Sequence, residues 1–90
     1  MAVARRFVVT GKVQGVGFRW AVWERASRLG LGGWVRNRSD GAVEGWAEGD
    51  PGSVAGLLDW LPRGPIGSTV DGVVVEEAVP VGLGGFEIRA

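Results

Sequence analysis

Residues 11–19 of the chain read Gly11-Lys12-Val13-Gln14-Gly15-Val16-Gly17-Phe18-Arg19. A run typical of a β-strand, residues 7–10, precedes this stretch, and a run typical of a helix follows it. We therefore predict a glycine-rich loop that joins a strand to the N-terminus of a helix. Glycines adopt positive φ, so successive N–H groups can point into one concavity, and the helix N-terminus adds unpaired N–H groups of its own. With the guanidinium of Arg19 at its end, the loop suits an anion, although a plain strand-to-helix turn has the same spacing.

The remaining sequence alternates between strand and helix patterns. Strands are predicted over residues 3–12, 32–38, 42–49 and 70–78, with a short last strand around Phe86 and Ile88. Helices are predicted over residues 19–30 and in a segment that Asp50 caps. The order β-α-β-β-α-β, with one extra strand, is that of an α+β, ferredoxin-like sandwich, an antiparallel sheet with two helices on one face. Residues 1–90 are expected to form a single domain.

Composition limits the functions that the chain can have. Ten basic and ten acidic residues give a formal net charge of zero, which argues against binding nucleic acid through a basic face. No apolar run approaches the ~20 residues of a membrane span, so we expect no membrane association. The apolar run after Arg5 and Arg6 ends at Thr10, too early for a signal peptide. These two arginines are interpreted as solvated residues ahead of the first strand, and a cytoplasmic location is expected.

The residue types that are missing are equally informative. The chain has no Cys, no His and no Tyr. Disulfides, structural zinc sites, cysteine nucleophiles and histidine bases are therefore excluded. An enzyme built from this set would rely on Arg, Asn, other polar side chains and backbone N–H groups. Such groups suit electrostatic stabilisation and positioning, which are the main requirements of phosphoryl transfer.

A second stretch, residues 33–44, reads Gly33-Trp34-Val35-Arg36-Asn37-Arg38-Ser39-Asp40-Gly41-Ala42-Val43-Glu44. With it the chain resembles the acylphosphatase family, whose pattern G-x-V-Q-G-V-x-F-R is followed by G-x-V-x-N-x-x-D-G-x-V-E. Residues 11–19 and 33–44 match these two motifs, and Gly17 occupies a position where the family varies. The similarity continues to residues 85–88 and so covers nearly the whole chain.

The resemblance implies an enzyme that hydrolyses acyl phosphates to a carboxylate and inorganic phosphate, without a metal or another cofactor. Arg19 would bind the phosphate, and Asn37 would hold and orient the attacking water. The expected partner is a small-molecule acyl phosphate, with neither nucleic acid nor membrane, and the protein is expected to be a monomer. The backbone cradle for the phosphate would consist of the N–H groups of Gly15, Val16, Gly17, Phe18 and Arg19.

Two other readings of the chain compete with the enzyme. One is a non-catalytic phosphate- or carbamoyl-phosphate-binding module of a larger maturation protein. The other is an RNA-binding ferredoxin-like domain, because aromatic side chains on a sheet can stack with bases. We favour packing against the sheet and helices for the five tryptophans, since no basic-aromatic motif accompanies them.

Several polar residues around the two motifs leave their roles open. Gln14 either supports the loop or faces solvent, and Arg36 and Arg38 either attract an anionic substrate or form a solvated strand edge. Glu44 and Glu48 are expected to lie in solvent. Lys12 is interpreted as a solvated residue, and Asp40 as part of a turn.

Overall fold

The computed structural model describes residues 1–90. Five strands and two helices follow one another close to the predicted positions. Their bounds are β1 (Val3–Lys12), α1 (Phe18–Arg28), β2 (Gly32–Asn37), β3 (Val43–Gly49), α2 (Pro51–Trp60), β4 (Thr69–Ala78) and β5 (Phe86–Arg89). The predicted cap of the second helix is confirmed, because Asp50 Oδ2 accepts a hydrogen bond from Gly52 N at 3.1 Å.

All five strands form one sheet in the order β4-β1-β3-β2-β5. The pairs β1/β3, β1/β4 and β2/β3 are antiparallel, whereas β5 runs parallel to β2. Strands β1 to β4 form the predicted antiparallel sheet. The extra strand β5, for which no direction was predicted, adds a parallel pair and makes the sheet mixed. The cause lies in the segment 79–85, which leads from β4 at one edge to β5 at the other and delivers β5 in the direction of β2.

Both helices pack on one face of this sheet, as predicted. Phe18 at the start of α1 is fully buried, and its ring lies 5.8 Å from that of Trp60 at the end of α2. The first motif is therefore anchored in the core by the residue that precedes Arg19. The core residues with no exposed surface include Phe7, Val9, Val22, Ala26, Val35, Val43, Ala47, Leu57 and Leu61.

The opposite face of the sheet holds a buried carboxylate. Glu44 in β3 is only 5% exposed. Its Oε1 accepts from Arg36 Nε at 2.8 Å, and its Oε2 pairs with the guanidinium of Arg6, which also binds Glu76 at 2.7 Å. The expectation that Glu44 lies in solvent is wrong, because the arginines of the flanking strands cover it. Arg6 likewise lies within β1 rather than ahead of it.

A second buried carboxylate fixes the segment that precedes β5. Glu48, also 5% exposed, accepts hydrogen bonds from Val81 N at 3.2 Å and Gly82 N at 2.9 Å. The indole Nε1–H of Trp46 donates to it at 3.0 Å. The expectation that Glu48 lies in solvent is therefore wrong as well, since its carboxylate holds the connection between β4 and β5 on the sheet.

These contacts make the stability of the protein depend on pH. Burial by itself raises the pKa of Glu44 and Glu48, but the hydrogen bonds from Arg36 and Arg6, and from Trp46 and the backbone, outweigh it. Both pKa values lie below the ordinary 4.5. A carboxyl group whose pKa is lowered by folding stabilises the fold above its unfolded pKa, and this stabilisation is lost as the pH falls through the folded pKa.

We expect the Tm to change little between about pH 7 and 5.5 and to fall as the pH drops below about 4.5. Glu44→Gln should cost about 1–3 kcal/mol at neutral pH, since it removes the charge that pairs with two arginines and replaces one acceptor oxygen by an NH2 group. Its stability should also change less on acidification than that of the wild type. Thermal unfolding from about pH 7 to 3 measures this, with the exposed Glu77→Gln as a matched control. If Glu44→Gln lost as much stability on acidification as the wild type and the control, the assigned role of Glu44 would be contradicted.

Candidate active site

The loop between β1 and α1 has the backbone conformation that its glycines permit. Gly15 and Gly17 have φ of 74° and 79°, in the left-handed region that favours glycine. A β-carbon at either position would meet no atom within 4 Å, so both residues border open space. Gly17 is also the N-cap of α1 and offers no side chain to the first helical turn.

The N–H groups of this loop have no partners inside the protein. None of those from Gly15 to Trp20 donates a hydrogen bond to a protein acceptor. The first N–H of the helix to find one is that of Ala21, 3.0 Å from Gly17 O. Unpaired N–H groups at a helix N-terminus attract anions through their partial positive charge.

Arg19 lies at the second position of α1, next to the buried Phe18. Its Nη1 donates to the backbone carbonyl of Arg89 in β5 at 3.2 Å. That contact holds the guanidinium against the last strand while its remaining donors have no protein acceptor. The sequence offered no sign that β5 would hold this arginine.

The first motif and Asn37 meet at one cleft. Asn37 is the last residue of β2, pairs with Val43 and is half-buried. The side-chain carboxamide of Asn37 forms no hydrogen bond with another protein group. The cleft has a volume of about 210 Å³ and is lined by Val13, Gly15, Gly17, Phe18, Arg19, Trp20, Asn37 and Ile88. Of the predicted cradle, only Val16 is missing from this lining, because its side chain packs against the core.

Gln14 joins the loop to the turn between β2 and β3. Its Nε2 donates to Arg38 O at 2.7 Å and to Ala42 O at 3.0 Å. Gln14 therefore supports the loop, which decides between the two roles left open for it. Because the same turn follows Asn37 directly, this contact links the loop to the end of β2 that carries Asn37.

The turn itself is held by Asp40, as the sequence indicates. Its Oδ1 accepts from Ala42 N at 3.1 Å, and its Oδ2 accepts from Arg38 Nη2 at 2.7 Å. The hydrogen bond from the Ala42 N–H is the largest cause that lowers the pKa of Asp40, and the Arg38 guanidinium lowers this pKa further. An ionised carboxylate that is occupied in this way stabilises the turn and is a poor candidate for an acid catalyst.

A second, wholly polar cleft lies beside the first and shares Asn37 with it. Its arginines are already paired with carboxylates, Arg36 with Glu44 and Arg38 with Asp40. Their charges are therefore largely neutralised within the protein. The cleft is lined by Arg6, Arg36, Asn37, Arg38, Ser39, Asp40 and Glu44.

Three lining residues of the first cleft, Val13, Trp20 and Ile88, were not predicted as site residues, and Val13 is a buried residue of the first motif. Ile88 shares the core-facing side of β5 with Phe86, and Trp20 follows Arg19 in α1. The alternation in residues 86–89 already indicated which side of the strand Ile88 occupies. Nothing in the sequence placed that strand next to the loop.

Fold and cleft together describe a small α+β protein whose cleft is lined by an arginine and by backbone N–H groups without protein acceptors. The acylphosphatase family model matches residues 5–88. An acylphosphatase from Anaeromyxobacter dehalogenans is 50% identical over 88 residues, which cover 97% of this chain and 95% of the relative. The crystal structure of acylphosphatase from Bacillus subtilis superposes with a TM-score of 0.95 at 37% identity, with all of both chains covered.

A structure of full-length HypF in the phosphate- and nucleotide-bound form also matches, with a TM-score of 0.92 and 30% identity. The match covers all of this chain but only 12% of that one. The chain belongs to the acylphosphatase family and is a hydrolase that acts on acyl phosphates. The resemblance seen in the two motifs is thereby confirmed. Neither of its helices has the length and apolar character that crossing a membrane requires.

Gln14→Ala should lower both turnover and stability, because it frees the loop from the turn that follows Asn37. We expect a loss of about 1–2 kcal/mol in the free energy of unfolding and about tenfold in kcat. Steady-state kinetics with a small acyl phosphate and chemical denaturation measure the two effects. Thr10→Val, which removes an exposed 3.4 Å hydrogen bond to Gly72, is the matched control. Full turnover in a folded Gln14→Ala variant would contradict the positioning role.

Proposed function

We propose that the loop and Arg19 bind the phosphoryl group of an acyl phosphate and that Asn37 positions the attacking water. The observation that carries this proposal is the row of unpaired N–H groups from Gly15 to Trp20. All of these residues except Val16 line the same cleft as Asn37. These groups are donors, and the phosphoryl group presents only acceptors. The cleft could hold the phosphoryl and carboxyl groups of the substrate, and the rest of the substrate would lie outside it.

Phosphate binding would use two kinds of positive potential. The backbone N–H groups carry partial charges fixed in direction by the glycine conformations at 15 and 17. Arg19 adds a full charge on a planar fork that matches two phosphoryl oxygens. Charge on the phosphoryl oxygens is what an enzyme has to stabilise in the transition state, so the same donors would serve both binding and catalysis.

Asn37 would act on water rather than on the anion. A carboxamide oxygen accepts a hydrogen bond from water, and the carboxamide nitrogen donates one to a phosphoryl oxygen. By holding the water and the phosphoryl oxygen together, Asn37 would place the water in line with the bond between phosphorus and the acyl oxygen. The free, half-buried carboxamide of Asn37 at the edge of the cleft supports this assignment.

The reaction needs no enzyme base under this proposal. Water forms a bond to phosphorus, the bond between phosphorus and the acyl oxygen breaks, and the electron pair leaves with the carboxylate. A carboxylate is a good leaving group, so protonation of it is unnecessary. The proton of the water passes to a phosphoryl oxygen of the substrate, since Asn cannot accept it.

The cytoplasmic location and the monomeric state expected from the sequence remain predictions.

Substitution of the two side chains should separate their roles. Arg19→Ala should weaken inhibition by inorganic phosphate and lower kcat/KM by about 10²–10³-fold, because a charged donor to the phosphoryl oxygens is lost. Asn37→Ala should lower kcat by a similar factor of about 10²–10³ while the inhibition constant of phosphate changes little. Arg28→Ala, an exposed arginine on the same helix, is the matched control.

Both effects are measured with a small aromatic acyl phosphate as substrate and phosphate as a competitive inhibitor. Full activity in both folded variants would contradict the assignment of the site. A folded wild type that binds phosphate but hydrolyses no acyl phosphate would indicate the binding module instead.

The rate should be insensitive to chelators and to pH near neutrality. We expect kcat to vary less than about twofold between pH 5.5 and 8, because the chain contains no His and no Cys to act as a base. Assays in EDTA across this range measure both dependences. An enzyme ionisation in kcat near pH 7, or loss of activity in EDTA, would contradict the proposal.

A further inference from the structure

We infer that Trp20 and Ile88 form an apolar subsite for the acyl group, so that the enzyme prefers aromatic or branched aliphatic acyl phosphates. The inference rests on the proposed function, because it requires the phosphoryl group to occupy the loop. It assigns the side chains of these two residues to substrate selection and gives neither side chain a part in the hydrolytic step.

Trp20 is exposed in a way that packing does not explain. It remains 61% exposed, whereas the packing expected for the tryptophans holds for Trp60 and, in part, for Trp23, Trp34 and Trp46. Exposure of the apolar surface of an indole ring to water is unfavourable. Binding of an apolar group that covers the ring is therefore stabilised by the hydrophobic effect. The ring lies at the edge of the cleft that contains Arg19.

The ring of Trp20 is also supported from behind. It stacks on Trp23 with the ring centroids 5.1 Å apart and an angle of 29° between the planes. Trp23 is fixed in turn, because its Nε1–H donates to Phe86 O in β5 at 3.1 Å. Two stacked indoles tied to the sheet form a firm apolar surface, which lowers the entropic cost of binding a ligand on it.

Ile88 provides the second apolar group. It lies in β5, lines the same cleft and is 37% exposed. The donors of the loop, Arg19 and Asn37 account for the polar needs of the phosphoryl group and the water. In the bound substrate, the acyl group would then extend out of the cleft along Trp20 and Ile88. These are the lining side chains that are both apolar and open to solvent.

The neighbouring polar cleft is the competing location for the acyl group and would select anionic ones. Its arginines already form ion pairs within the protein, since Arg36 binds the buried Glu44 and Arg38 binds Asp40. An anionic acyl group would have to displace these carboxylates or share their partners. The apolar surface has no such competitor, and we therefore favour it.

Binding of two phosphonates tests the subsite without requiring turnover. Benzylphosphonate and methylphosphonate present the same charged head with and without an aromatic group. Calorimetric titration of the wild type should show benzylphosphonate binding about tenfold or more tightly, and Trp20→Ala should remove most of this difference. Trp20→Phe should retain it. Val74→Ala, which alters an exposed apolar residue on β4, is the control and should leave it intact.

Hydrolysis of benzoyl, acetyl and succinyl phosphate by the same variants forms the second arm. The ratio of kcat/KM for benzoyl over acetyl phosphate should fall about tenfold in Trp20→Ala and be kept in Trp20→Phe. Equal phosphonate affinities in the wild type, or a ratio unchanged in Trp20→Ala, would overturn the inference. So would a preference for succinyl phosphate that disappears in Arg38→Ala. Phosphonate discrimination without any hydrolysis would support the subsite while refuting the proposed catalysis.

Discussion

The geometry of the site depends on one short piece of backbone, the loop that turns from β1 into α1 through two left-handed glycines. Gly15 and Gly17 take positive φ, and the N–H groups from Gly15 to Trp20 have no acceptor in the protein. Those from Phe18 onward belong to the first turn of α1, where no intrahelical partner exists. Such groups are tolerated because the glycines are open to solvent, where water hydrates them. Donors that are already oriented need no reorganisation when charge develops on a phosphoryl oxygen.

Other parts of the fold hold this loop in place from three sides. Phe18 inserts into the core between the sheet and α2, Gln14 binds the turn after β2, and the Arg89 carbonyl holds Arg19. The last of these contacts depends on β5, and the path to β5 is fixed by the carboxylate of Glu48. A buried acidic residue far along the chain thereby contributes to the position of the arginine in the cleft.

The pattern of the sequence was sufficient for most of the fold. Apolar spacing located both helices and all the strands, and the Asp50 cap was readable directly. The pairing of β5 was not, because a four-residue strand carries no signal of which neighbour it meets. Glu44 and Glu48 were misplaced for a related reason. Whether a carboxylate on an outer sheet face is buried depends on arginines and N–H groups that other strands and a distant segment bring to it.

The site divides in the same way. The glycines and the arginine were enough to propose an anion site at the loop, whereas the role proposed for Asn37 came only with the resemblance to acylphosphatases. The support from Gln14 and β5 requires coordinates. Hydrolysis of benzoyl phosphate in H₂¹⁸O distinguishes attack of water at phosphorus, with departure of the carboxylate, from attack at the carbonyl carbon. Mass spectrometry should find one ¹⁸O in the phosphate and none in the benzoate. Label in the benzoate would mean attack at the carbonyl carbon and would contradict the mechanism.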